Sequence, residues 1–262
     1  MTVFESIVLG LIQGLTEFIP ISSSGHLVIA QYFFSGASNH LFLEWINIGT
    51  LFALLVYFRV KIVQIVKDII VRRQYRLARN IIVTALPASI VGYLAADFID
   101  SSAFFGSIEV VVIMSAIVGV IMIFLEQLPK ASKVKDGESL PVLRAFIIGL
   151  AQTIALIPGT SRSGATIIAG RLSGLSAKEA AEYSFLASLP IMVGVTVKVF
   201  MHDHVYLYQN FGTLLIANVV AFISGLLAVG FLMRYLSRHS LAVFGWYRVI
   251  LAAFVIGVIL LQ

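Results

Sequence analysis

The stretch Gly10-Leu-Ile-Gln13-Gly-Leu-Thr-Glu17-Phe-Ile-Pro20-Ile-Ser22-Ser23-Ser24-Gly25-His26 sets a carboxylate, a histidine and clustered hydroxyls into apolar sequence. A second stretch, Gly149-Leu-Ala-Gln152-Thr-Ile-Ala-Leu-Ile-Pro158-Gly-Thr160-Ser161-Arg162-Ser163-Gly164-Ala-Thr166, follows the same plan. Both read Gly-Leu-x-Gln, then Ile-Pro, then a Ser-rich turn ending in Ser-Gly. Neither apolar arm around either break is a comfortable bilayer span. Each stretch therefore reads as a re-entrant helix–break–helix hairpin, over 3–34 and 142–172. Irregular backbone at membrane depth is tolerated where protein or a wet cavity surrounds it, and polar groups held there mark function.

Working outward, 60% of the 262 residues are hydrophobic and 12% charged, with a mean hydropathy of +1.01. That is outside the range of a soluble domain. The apolar runs are continuous rather than alternating, which predicts membrane helices and not a β-barrel. Six runs are long enough to span, roughly 41–58, 80–97, 107–126, 182–201, 211–233 and 244–261. The fold class is thus an all-α polytopic membrane protein with six transmembrane helices and two re-entrant hairpins. The order is hairpin plus three spans, twice, within one transmembrane domain, 1–262, built of repeats 1–128 and 140–262. The likeness of Thr84-Ala-Leu-Pro87 to Ala187-Ser-Leu-Pro190 adds to the repeat. An odd number of spans per repeat makes the second copy inverted, and inverted repeats with broken helices place a binding site where they meet.

Basic residues cluster in the 59–79, 127–144 and 234–240 loops (Lys130 among them), whereas the 97–107 and 202–210 connections carry no Lys or Arg. The alternation places both termini outside, with the first hairpin entering from the outer face and the second from the cytoplasmic face. The net charge of +5 reads as this topology signal and not as nucleic-acid binding. There is no cysteine and so no thiol chemistry. The N-terminus lacks a basic leader and a small-residue cleavage site, so it reads as retained mature sequence. Trp45 and Trp246 read as interface anchors. Glu44, Asn47, Gln152 and Asn218 read as helix–helix hydrogen bonders. His202, Asp203 and His204 read as solvated.

The hairpins carry the chemistry. Gln13 and Glu17 are one helical turn apart and share a face with Gly10 and Gly14. An acid, a histidine and clustered hydroxyls are the parts of a nucleophile and a general acid/base, here Glu17, Ser23 and His26. In the second hairpin a half-helix starts near Ser163, so its free N–H groups point into the break and form an anion site. Arg162 adds a planar fork suited to phosphate oxygens, and Thr160, Ser161, Ser163 and Thr166 add hydroxyl donors.

At these residues the chain resembles the undecaprenyl-diphosphate phosphatase family, the bacitracin-resistance membrane phosphatases of bacterial cell-wall synthesis, over essentially its whole length. The likeness rests on Gln13-Gly-Leu-Thr-Glu17, on the turn Ser22 to His26, and on Pro158-Gly-Thr-Ser161-Arg162-Ser163-Gly-Ala-Thr166. It implies a homodimer in the bacterial plasma (inner) membrane, an active site open to the outer side, a divalent cation (Mg2+ or Ca2+) and a polyprenyl diphosphate lipid as substrate. On that resemblance Glu17, Ser23, His26 and Arg162 are expected to be catalytic. Gln13, Ser22, Ser24, Thr160, Ser161, Ser163 and Thr166 are expected to bind phosphate, and Glu17 to bind the cation or act as a base. Many relatives carry Glu where this chain has Gln13, which keeps a hydrogen-bonding role only. The nucleophile is Ser23 activated by His26, or His26 itself.

Two other readings compete. Inverted repeats with broken helices also build lipid transporters or flippases, but a binding-only site needs no serine cluster beside His and Glu. The type-2 phosphatidate phosphatases share a Ser-Gly-His element, but need a histidine soon after a Ser-Arg pair. Here none follows Arg162 until His202.

Overall fold

The computed structural model describes residues 1–34, 40–128 and 133–261; Lys130 falls outside them. Among these residues every regular element is helical. In chain order they are α1 (Val3–Phe18), α2 (Ser23–Phe34), α3 (His40–Tyr57), α4 (Arg59–Ile70), α5 (Arg76–Leu94), α6 (Ala96–Ser101), α7 (Ala103–Gly106) and α8 (Ile108–Leu125). The second half holds α9 (Val142–Ile154), α10 (Arg162–Leu172), α11 (Ala177–His202), α12 (His204–Tyr235) and α13 (Ala242–Leu260). The helices α5, α8, α11, α12 and α13 are long and apolar enough to cross a membrane. A sixth candidate span is the α3/α4 pair taken together, bent by 71° between the two helices. The chain is an all-helical polytopic membrane protein, and the broken segments are the helix pairs α1/α2 and α9/α10.

Two local expectations change. The basic 59–79 segment is not simply a loop, because Val60, Val63, Val66 and Ile70 recur at helical spacing and line an exposed apolar side of α4 beside Lys61 and Lys67. A helix with that division suits the membrane interface. Trp45 is not an interface anchor. It is 1% exposed, packs with Phe42, Ile46 and Leu214, and meets the Phe200 ring edge-on at 4.8 Å. Trp246, by contrast, is exposed.

The packing exchanges the two halves. The first arm of one hairpin, α1, lies on α12, and the first arm of the other, α9, lies on α5. Likewise α3 lies on α12 and α11 on α5, while α8 packs on α13. Gly10 and Gly149, the leading residues of the two Gly-Leu-x-Gln stretches, do the same work. A Cβ on Gly10 would strike the Ala217 backbone of α12, and one on Gly149 the Thr84 carbonyl and Pro87 of α5. Lipid is as apolar as a leucine side chain, so close backbone approach, rather than hydrophobic burial, holds such pairs together. Pro87 and Pro190 lie in α5 and α11, which occupy different places in their halves and pack on each other.

Candidate active site

Each hairpin breaks in the same way. α1 ends at Phe18, the chain runs through Pro20, and Ser22 adopts a φ of +75° before α2 begins. α9 ends at Ile154, the chain turns through Pro158 and Gly159, and Ser161 adopts a φ of +72° before α10 begins. Left-handed backbone at a residue other than glycine costs on the order of 1–3 kcal/mol and clusters at functional sites. Both serines cap the helix that follows. Ser22 Oγ accepts from Gly25 N at 3.2 Å and Ser161 Oγ from Gly164 N at 3.1 Å. Each also lies 3.2 Å from the hydroxyl two residues on, Ser24 and Ser163.

The residue after each cap is then the first of its helix, Ser23 in one hairpin and Arg162 in the other. Both reach Glu17 at the end of α1. Ser23 Oγ donates to Glu17 Oε2 at 2.5 Å, and Arg162 Nη2 donates to Oε1 at 2.5 Å. Gln13 Nε2 donates to Oε2 at 3.1 Å and to Asn47 Oδ1 of α3 at 2.7 Å. Ser163 Oγ lies 3.4 Å from the Glu17 carbonyl. The Glu17 and Arg162 side chains keep 10% and 20% exposure, so the pair is largely but not wholly desolvated.

His26 is directed elsewhere. Its Nδ1 is 2.7 Å from the Ser22 carbonyl, which can only accept, so Nδ1 carries the proton. Nε2 is 2.8 Å from Tyr247 OH of α13, and the rings are nearly parallel at 5.7 Å. The expected Ser23–His26 contact is replaced by a Ser23–Glu17 contact.

Among the expected phosphate donors, Ser24 is exposed beside Ser23, and Arg162 stands at the α10 N-terminus. Ser22, Ser161 and Ser163 are buried in the capping turns. Thr160 Oγ1 is buried without a hydrogen-bond partner among the described residues. Thr166 is 1% exposed, and its hydroxyl bonds to the Arg162 carbonyl and to Ser184 Oγ at 2.5 Å. That contact ties α10 to α11. Gln13 is a hydrogen-bond donor, in keeping with its amide. Asn218 Oδ1 accepts from Gly49 N at 2.6 Å, Gln152 Nε2 donates to the Thr84 carbonyl at 3.3 Å, and Lys198 pairs with Glu44 at 3.3 Å. Asn47 joins the same helix-bridging group but also supports Gln13 at the site.

Sequence reasoning missed Tyr247 and Arg248. Arg248 bonds to carbonyls of both breaks. The signal was present, since a lone charge inside an apolar span is expensive and rarely idle.

No cluster of three or more His, Asp or Glu able to hold a metal occurs among the described residues. Glu17 is the carboxylate at this meeting point, and its Oε2 accepts from two neutral groups, Ser23 and Gln13. One carboxylate completed by phosphate oxygens is how Mg2+ is usually held. The donor set fits a cation shared with a diphosphate and not one caged by protein alone.

The family model for the bacitracin resistance protein BacA matches residues 6–254. The chain is 36% identical over 260 residues to the undecaprenyl-diphosphatase of Acinetobacter baumannii strain ATCC 17978, covering 97% of this chain and 94% of that one. It is 37% identical over 262 residues to undecaprenyl-diphosphatase 3 of Acinetobacter baylyi, covering 98% of each. To the undecaprenyl-diphosphatase of Nitrosomonas eutropha it is 35% identical over 252 residues, covering 95% of this chain and 92% of that one.

Proposed function

The chain belongs to the BacA family of bacitracin resistance proteins, and on that premise we propose that it hydrolyses undecaprenyl diphosphate to undecaprenyl phosphate and inorganic phosphate. It is an undecaprenyl-diphosphatase, a membrane hydrolase that returns the lipid carrier to peptidoglycan synthesis. Enzyme in larger amount competes with bacitracin for the same lipid. The observation that carries the chemistry is the meeting of Ser23 and Arg162 on opposite oxygens of Glu17. A transporter needs no hydroxyl poised on a carboxylate.

Ser23 is the nucleophile and Glu17 its base. The Oγ proton passes to Glu17 Oε2 as Oγ bonds to the terminal phosphorus and the anhydride P–O bond breaks. Undecaprenyl phosphate leaves with the bridging oxygen and takes that proton. Glu17 then deprotonates a water that attacks the phosphoserine, inorganic phosphate departs, and the proton returns to Ser23. Arg162 and the free N–H groups at the start of α10 stabilise charge on the transferring phosphoryl group. A divalent cation, Mg2+ or Ca2+, would be held with the diphosphate beside the Glu17 carboxylate, and it would supply neutralisation of phosphate charge. His26, with Nδ1 tied to Ser22, braces the turn that presents Ser23.

Residues 1–128 and 140–262 are inverted copies, a reading supported by the exchange of packing partners between halves. The distribution of Lys and Arg supports a bacterial inner membrane orientation with the site facing outward. The protein acts as a homodimer. The test is phosphate release from undecaprenyl diphosphate by purified protein in detergent. Ser23→Ala should abolish it while the protein stays folded, and an acid-stable phosphoenzyme should be trapped from the parent. An acid-labile phosphoenzyme would move the nucleophile to His26, and normal turnover by Ser23→Ala would end the serine mechanism.

A further inference from the structure

Arg248 lies within α13, is 0% exposed, and spends its donors on backbone carbonyls. Nε donates to Ser115 O of α8 at 3.2 Å and Nη1 to Pro20 O at 3.2 Å. Nη2 donates to Gly159 O at 2.5 Å and to Thr160 O at 3.2 Å. Pro20 stands between Glu17 and Ser23 in the first break, and Gly159 and Thr160 lead directly into Ser161 and Arg162 in the second. One planar fork therefore joins the two strained turns to each other and to a span. Burying a cation is expensive, and it is tolerated where its donors are satisfied.

The surroundings are arranged to deliver it. Gly119 of α8 and Gly245 of α13 face each other so closely that a Cβ on Gly245 would stand 2.6 Å from the Gly119 carbonyl. That approach carries Arg248, nearly one turn beyond Gly245, onto Ser115, about one turn before Gly119. Gly159 has a φ of +88°, and a Cβ there would run into the Val111 backbone of α8. The second break is thus seated against α8 where the guanidinium can reach it.

We propose that Arg248 is a positioning residue that locks the two hairpin breaks in one register, so that Ser23 and Arg162 meet the same carboxylate from opposite sides. It touches neither substrate nor reacting atoms. The proposal rests on the phosphatase reading for its kinetic consequence but not for its structural one. A lysine keeps the charge but has no planar fork to span three segments. With the register loosened, Ser23 shifts relative to a phosphate still held by the second hairpin. A misplacement of about 1 Å costs on the order of 100-fold in rate, and the loss falls on kcat with little change in KM.

The test has two arms. The chain has no cysteine, so Leu15→Cys and Ile154→Cys, both exposed at the ends of α1 and α9, accept spin labels without further changes. The distance between them should be narrow in the parent and broadened or shifted by Arg248→Lys. In detergent, the same substitution should lower kcat for undecaprenyl diphosphate by about 100-fold with KM within about threefold. A kcat within twofold of the parent, or an unchanged distance distribution, overturns the proposal. If the parent itself releases no phosphate, the phosphatase reading fails, and the distance arm alone decides the register. Should Arg248→Lys fail to fold, Gly245→Ala takes its place, since the added Cβ displaces Arg248 while keeping its chemistry. Parent-like kcat and distance in that variant would overturn the proposal equally.

Discussion

Replacing Glu17 by Gln removes one proton acceptor and one counter-charge while leaving nearly the same shape. Two separable losses follow. Ser23 Oγ, 2.5 Å from Oε2, keeps a hydrogen-bond acceptor but loses its base, and a positioned general base is worth about 100- to 10,000-fold. Arg162, 20% exposed, is left as a partly buried cation without its partner. Breaking a buried pair from one side costs about 3–5 kcal/mol. The residual exposure of this pair points to the lower end, about 3 kcal/mol. Adding Arg162→Met removes the orphaned charge, so the double variant should regain most of that stability, because apolar replacement of both partners is often close to neutral. Activity should not return, since base and phosphate clamp are then both missing. Phosphate release from undecaprenyl diphosphate and thermal unfolding in one detergent measure both quantities. The reasoning is refuted if Glu17→Gln keeps more than about a tenth of parental turnover, or if the double variant is as unstable as the two single changes added together.

Thr166→Val removes the contact with Ser184 and should cost about 1 kcal/mol of stability, with KM within about twofold; a tenfold rise in KM, equal to about 1.4 kcal/mol of lost binding, would place this hydroxyl at the phosphate. Tyr247→Phe deletes the donor to His26 Nε2 and should lower kcat by roughly fivefold, the rate equivalent of one hydrogen bond. Its melting temperature should match the parent, and unchanged kcat would remove Tyr247 from the site. Chelation should stop turnover until Mg2+ is restored, yet leave the melting temperature of the substrate-free protein unchanged, because Glu17 offers a single carboxylate. A large drop in melting temperature on chelation would reveal a protein-bound cation instead.

The spans and the two breaks were legible because their signals are local: apolar runs, and Pro, Gly and Ser where a helix cannot continue. What escaped was set by partners far along the chain. Ser23 and His26 are three residues apart, which on a helix suggests a shared face, and their pairing was the natural expectation. Ser23 is the first residue of α2, however, and Glu17 reaches it across the break, while Tyr247 arrives from α13 to engage His26. Trp45 lies near the start of α3, where tryptophan commonly anchors a helix to the interface, but Phe42 and Ile46 beside it and Phe200 of α11 enclose it. Arg248 was visible as a charge in an apolar span. Its partners are four carbonyls, and a carbonyl has no sequence signature.

Near-identical turns explain why one carboxylate suffices. Ser22 and Ser161 share a left-handed backbone and the same cap, so the residues that follow them, Ser23 and Arg162, hold equivalent places in the two breaks. Whatever stands at those places is delivered to the meeting point of the breaks. Counting from Gln13 and Gln152, the place of Glu17 is taken by Leu156 in the second hairpin, and from Ser22 and Ser161 the place of His26 is taken by Ala165. Had Glu17 been duplicated, two carboxylates would repel each other and the diphosphate. Had Arg162 been duplicated at position 23, there would be no nucleophile. Symmetry in the backbone brings the first residues of α2 and α10 to one point, and asymmetry in the side chains supplies, on the proposed mechanism, a nucleophile, a base and a clamp there. Exchanging the two residues (Ser23→Arg with Arg162→Ser) tests this directly. The Glu17 contacts should survive in mirrored form and the fold should hold. Turnover should be lost, because the relocated hydroxyl would sit on the oxygen away from Gln13, and the α10 N-terminus would bind phosphate without its guanidinium. Retention of turnover by the swapped protein would show that the two turns are chemically interchangeable and that this asymmetry is incidental.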